Sequence, residues 1–291
     1  MSNSTVTFNP LANFMRQPKI YIKLPSGGAF WKDGSLDMPP NGELPVYSMT
    51  AKDELSFKTP DALMNGQAVV DVIQSCIPNI KNAWETPNLD LDLILISIRI
   101  ATYGEMMSVS HTVPNTEEKV DHEIDLRVLI DQILSRSQWV DTVQIADNLI
   151  CYIKPLTYKH ATQTNLKAFE TQKMMQGVNN DSISDDKKLE IFNSTFKKMS
   201  DITIGLIADS IVAIQTPNDT VTDTSFIKEF VEGADFTVIQ KIQEHIAAMK
   251  DSNGIQPILV HATEEQIAQG APETYELPIS MDNSDFFGQG S

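Results

Sequence analysis

His111, Asp121 and His122 bring two imidazoles and a carboxylate into one short stretch of the chain. These groups are zinc ligands, so this stretch is the first place to look for a metal. A zinc site also needs matched spacing, and the two cysteines, Cys76 and Cys151, lie far away in sequence. Two thiols make neither a four-cysteine zinc site nor a disulfide framework. Ordinary surface polar residues are therefore expected here, with no metal and no cofactor.

Asp90 and Asp92 sit two apart at the start of an apolar run. Paired carboxylates serve acid–base chemistry, but acids are also favoured at helix N-termini by capping and by the helix dipole. The second reading is the expectation, with Asp90 as N-cap. Cys151 lies within an apolar strand pattern and reads as a small core residue. His245 falls on a helix near 236–249, at its surface or edge. Gly27-Gly28 follows an apolar strand but lacks the Lys-Ser/Thr of a phosphate loop, so it reads as a turn. No GxGxxG, HExxH or GxSxG occurs, and no catalytic residue is assigned. One element near the end stands out: Asp282, Asp285, Phe286 and Phe287. Two readings stand side by side. It docks in a groove on a partner, the aromatics as anchors and the acids at the rim, or it is a disordered terminus with incidental aromatics.

These side chains need elements to position them. Residues 1–18 read as a flexible arm. Ile20–Leu24 and Val46–Met49 are strand-like around the turn signals Pro25-Ser26-Gly27-Gly28, Asp33-Gly34 and Pro39-Pro40-Asn41-Gly42. Thr50-Ala51-Lys52-Asp53 fits a capping box. A helix opens at Pro60-Asp61, with Leu63, Val69, Val70 and Ile73 apolar, and ends at Pro78. Residues 89–103 alternate like a strand, but the length of the apolar run predicts a buried helix closed by Gly104. Strands at 105–113 and 119–126 make a hairpin, followed by a short helix over 126–134 and a second hairpin over 139–153. Residues 157–176 predict a helix with Gly177 as C-cap. The clearest periodicity follows: Leu189, Phe192, Phe196, Met199, Ile202 and Leu206 recur at spacings of three and four, a core-facing stripe of a helix over 185–215. Two more helices are marked by Phe226, Ile227, Phe230 and Val231, and by Ile239, Ile242, Ile246 and Met249. Strands are expected at 258–261 and 274–279. The fold class is α+β: a mixed domain over 19–155, a helical domain over 156–250 and an acidic extension over 251–291.

Composition excludes several classes of function. The 291 residues carry 22 Lys plus Arg against 39 Asp plus Glu, a net charge of −17. Nucleic acid and anionic membranes need clustered cations, so neither is an expected partner. The longest apolar stretch, Leu91–Ile100, is far below the ~20 residues of a membrane helix. The first ten residues, MSNSTVTFNP, have no basic start followed by an apolar run, so no leader peptide is expected.

Three stretches carry a resemblance: LPSGGAFWKDG at 24–34, VYSMTAKDELSFKTPDALMNG at 46–66 and DLDLILISIRIATYGEMM at 90–107. Their order resembles the T4-type bacteriophage baseplate hub family over roughly 19–155. The shared features are Leu24-Pro25-Ser26-Gly27-Gly28, then Met49-Thr50 with Asp53-Glu54 and Pro60, then Arg99 with Tyr103-Gly104. The resemblance implies a structural or assembly role near the hub of a contractile-tail baseplate, without catalysis. It implies partners among hub and tail proteins, the tape measure protein included, in a hetero-oligomer made in the host cytoplasm and housed in the virion tail. Relatives often carry zinc-knuckle-like Cys pairs in the hairpin after Tyr-Gly. This chain has His111-Thr112-Val113-Pro114-Asn115-Thr116 there, which argues against inherited zinc. The alternatives are a tail-assembly chaperone for the tape measure protein that leaves before maturity, a tail-associated hydrolase, and an acidic adaptor of a bacterial host.

Overall fold

The computed structural model describes residues 11, 14–57, 66–136, 138–178, 185–277, 279 and 286. Strands β1 (Pro18–Ile22) and β2 (Leu44–Tyr47) pair antiparallel, with a bulge near Pro18. Helix α1 (Ala51–Phe57) starts with the expected capping box: Asp53 N–H donates to Thr50 Oγ1 at 3.2 Å and Thr50 N–H to Asp53 Oδ2 at 2.8 Å. Helix α2 (Gln67–Cys76) begins after Gly66, which has φ 77°; Pro60, Asp61 and Leu63 lie outside the described residues. Helix α3 (Asn88–Tyr103) is the centre of this part. It is apolar around most of its circumference and accordingly buried on most sides, with Leu93, Ile94, Leu95, Ile96 and Ile98 all buried. Gly104, at φ 96°, ends it.

Strands β3 (Met106–Thr112) and β4 (Lys119–Asp125) form a hairpin paired from Met106↔Asp125 to Thr112↔Lys119. Asp125 caps α4 (Leu126–Leu134) by accepting from Arg127 N–H, and Leu126, Leu129 and Ile133 turn inward. Strands β5 (Thr142–Ala146) and β6 (Leu149–Ile153) follow. Helices α5 (Tyr158–Val178) and α6 (Asp185–Ser210) come next. Gly177, expected as a C-cap, lies inside α5. Helix α6 ends at Ser210 rather than near 215: Ile211, Val212 and Ile214 are β-branched, and Ile211–Gln215 is strand β7.

Strand β8 (Thr220–Val221) completes an antiparallel sheet of order β5-β6-β7-β8. Helices α7 (Thr224–Gly233) and α8 (Phe236–Asn253) pack on it, burying Ile145, Cys151, Ile153, Ile207, Ile211, Ile214, Ile227, Val231 and Ile242. Because β6 pairs with β7, the sheet joins strands from either side of residue 155, where the sequence reading divides the chain. The class is α+β. Finally β9 (Ile258–His261), α9 (Glu264–Ala268) and β10 (Thr274–Leu277) fold back onto the first part. Leu277 and Phe286 join the core built around α3, and Tyr275 forms a small third core with Val113 and Ala271.

Candidate functional site

The residues that carry the family resemblance act as joints of the fold. Asp90 is fully buried. The expectation that it caps its own helix is overturned: Pro87 holds the N-cap position and Asp90 lies in the first turn. Its carboxylate instead accepts from Ser26 N–H at 2.9 Å, from the Ser26 hydroxyl and from Trp31 Nε1–H at 2.8 Å. Burial pushes the Asp90 carboxyl above the usual range, against the opposing pull of these donors. In the same turn Gly28 has φ 89°, and a Cβ there would meet Met38 Cε at 2.9 Å. Asp53, besides its capping role, accepts from Ser75 Oγ at 2.9 Å and lies 3.8 Å from Arg16. Arg16, placed by the sequence reading in a loose arm, donates to the carbonyls of Ser48 and Ser75, each at 2.6 Å.

The structure separates the residues considered for catalysis or metal binding. Strand alternation puts His111 and His122 on one face of the β3–β4 hairpin and Asp121 on the other. Asp121 accepts from Ser110 Oγ. The His111 ring stacks on Tyr275, with centroids 5.9 Å apart, and Tyr275 Oη meets His122 Nε2 at 3.3 Å. Among the described residues, no three His, Cys, Asp or Glu side chains gather as a metal site. Asp92 points away from Asp90, towards Arg136, which partly offsets the upward push of burial on its carboxyl. Burial raises both thiols, Cys76 and Cys151, to about 12. His245 Nε2 bonds the Val140 carbonyl oxygen at 2.8 Å and ties α8 to the approach to β5.

Two further polar centres tie distant parts of the chain together. Thr157 N–H donates to His160 Nδ1 at 3.3 Å, the Thr157 hydroxyl lies 2.8 Å from the same atom, and His160 Nε2 stands 3.6 Å from Asp209. Thr, His and Asp thus line up, but Nδ1 is occupied by a backbone donor at a helix start and Thr157 is buried. The chemistry is a helix cap that fastens α5 to the end of α6. Arg99 is the other. It is buried inside α3, and its guanidinium carbon stands 5.4 Å from the ring centroids of both Tyr103 and Phe286. Its Nη1 donates to the Phe286 carbonyl oxygen. Burial lowers the Arg99 pKa from its usual value.

Phe286 was expected as a partner anchor or an incidental tail residue. It is 2% exposed, in the core around α3. Its side chain is therefore seated within this chain. Asp282, Asp285 and Phe287 lie outside the described residues.

Among the described residues, a row of open apolar side chains lies on α6. Leu189, Phe192, Phe196 and Met199 are 60%, 51%, 67% and 42% exposed. The expected core-facing stripe reaches the core at its inner end, where Ile207 is buried. Among the described residues, α6 also runs beside α5, which is polar and turns Thr162 inward. Phe169 of α5 is 39% exposed and carries Lys173 Nζ 4.6 Å from its ring centroid. A row of large apolar side chains left in water is the mark of a contact surface.

A family model described as T4 bacteriophage base plate protein matches residues 15–259. No curated protein and no solved structure matches the chain. Among the described residues, no helix is long and apolar enough to cross a membrane.

Proposed function

The chain belongs to the T4 bacteriophage base plate protein family, and on that premise we propose that it is a structural component or assembly factor of the baseplate hub of a contractile-tail phage, working through protein–protein contacts and not through catalysis. The observation that carries this reading is the uncovered face of α6. Four large apolar side chains in one line, on a helix held at its inner end by a buried sheet, form a projecting, pre-ordered contact element. The motif residues support it: Asp90, Asp53 and Arg99 hold loops and helices together, leaving the surface to do the recognising.

The test is incorporation. A phage carrying Phe192→Asp and Phe196→Asp is expected to yield baseplates depleted of this protein, with the protein itself soluble and helical. Normal incorporation and plating of that variant would overturn the reading. Quantifying the natural chain in purified virions separates a resident hub component from a chaperone that leaves before maturity.

A further inference from the structure

We propose that the open face of α6, taken as a contact surface as above, is closed by the same face of a second copy of this chain, the two α6 helices lying antiparallel about a two-fold axis level with residue 194. The spacing is the first support. Leu189, Phe192, Phe196 and Met199 advance by three, four and three residues, the seam of a two-helix coiled coil. At about 1.5 Å per residue the seam is about 15 Å long. It is also self-complementary. Positions 189 and 199 share the midpoint 194, as do 192 and 196. An antiparallel pair therefore sets Leu189 against the partner's Met199, and Phe192 against the partner's Phe196. An isologous interface requires this kind of symmetry in the patch.

Charge is compatible with the same partner. The whole chain carries −17, so most of its faces repel a second copy. Helix α6 is nearly neutral, with Lys187, Lys188, Lys197 and Lys198 against Asp185, Asp186, Glu190, Asp201 and Asp209. The positions that flank the seam, Lys188, Asn193, Thr195, Ser200 and Ile202, carry a single charge, so two copies meet here with almost none of the repulsion of the rest of the surface.

Area sets the strength. At ~150–250 Å² per large side chain, the exposed parts of the four seam residues come to about 440 Å² per copy. The lower bound of specific interfaces is about 1,000 Å² in all, slightly more than the two copies supply. The dimer is therefore one that dissociates on dilution, suited to a subunit that must also be built into a larger assembly.

Sedimentation equilibrium on the full chain from ~1 to ~200 µM tests this. The mass is expected to rise from 32.4 kDa towards twice that value. The variant carrying Phe192→Asp and Phe196→Asp should stay at the monomer mass with unchanged far-UV circular dichroism. Oxidising a mixture of Phe192→Cys and Phe196→Cys chains should link 192 to 196 in preference to either position with itself. A natural chain that stays monomeric throughout, an association indifferent to the Asp substitutions, or same-site linking would each overturn the dimer. Baseplate incorporation separates this from the reading beneath it. If the natural chain is monomeric but the Asp variant is lost from baseplates, the face serves another tail protein and only the dimer falls. If the chain dimerises but the Asp variant incorporates normally, the dimer stands and the baseplate contact falls.

Discussion

Arg99 of α3 donates a hydrogen bond from Nη1 to the carbonyl oxygen of Phe286, 187 positions further along the chain, and stands 5.4 Å from the centroid of its ring. A buried guanidinium needs acceptors and is attracted to aromatic faces. Here Phe286 supplies a carbonyl, and Phe286 and Tyr103 both supply a ring. Phe286→Ala removes a core aromatic and leaves a cavity beside a charge. It is expected to lower stability by about 3 kcal/mol, read as a lower urea midpoint with an unchanged slope. A variant as stable as the natural chain would mean that Phe286 spends its time in water.

Asp90 gives a pH-dependent prediction. Its folded pKa is raised, chiefly by burial, so the folded state holds the proton more tightly than the unfolded chain. Between the ordinary carboxylate value of about 3.9 and the raised folded value, stability from this site falls as pH rises. Asp90→Asn cannot titrate. The stability of the natural chain relative to Asp90→Asn should therefore be greater near pH 4.5 than at pH 7, measured by urea denaturation across that range. Asp90→Ala strands three donors, Ser26 N–H, Ser26 Oγ–H and Trp31 Nε1–H, and should cost about 2–3 kcal/mol at any pH. An advantage over Asn that grows with pH would contradict the assigned direction.

The thiols should be silent. With pKa values of about 12 and no exposed surface, Cys76 and Cys151 hold almost no thiolate near neutral pH. Ellman's reagent should find no thiol in the folded protein and two in guanidinium chloride. A fast-reacting thiol in the native state would show that one of these sites opens.

Local signals were readable in the sequence and distant ones were not. The Thr50–Asp53 box joins residues three apart and was legible, as was the length of the apolar run in α3. Asp90 was legible as an acid at a helix start, but its partners, Ser26 and Trp31, lie some sixty positions away. The stripe on α6 was legible as a stripe. Which way it faces depends on α5, whose polar composition gives the outer turns no core to enter. The aromatics near the end drew notice, yet nothing local says that Phe286 turns into the chain's own core. Arg99 sits in an apolar run, and only the tertiary structure shows what receives its charge.

The final prediction concerns the segment beyond the matched family span, which ends at residue 259. Strands β9 and β10 lay Ile258, Val260, Tyr275 and Leu277 on the β3–β4 face that carries His111, Val120 and His122. An isolated two-stranded hairpin is marginal in water, so β3–β4 depends on this cover. The sheet β5–β8 has its own core, to which no described residue beyond 253 contributes. A chain ending at residue 256 should therefore lose hydrogen-exchange protection over 106–125 and keep it over 149–153 and 211–215. It should also leave Arg99 without its Phe286 acceptor and soften α3. Because the loss is confined to the first core, the far-UV spectrum should change little while a new, earlier melting step appears. Equal deprotection of both regions would mean that the two cores unfold as one unit, and unchanged protection over 106–125 would mean that the hairpin stands without its cover.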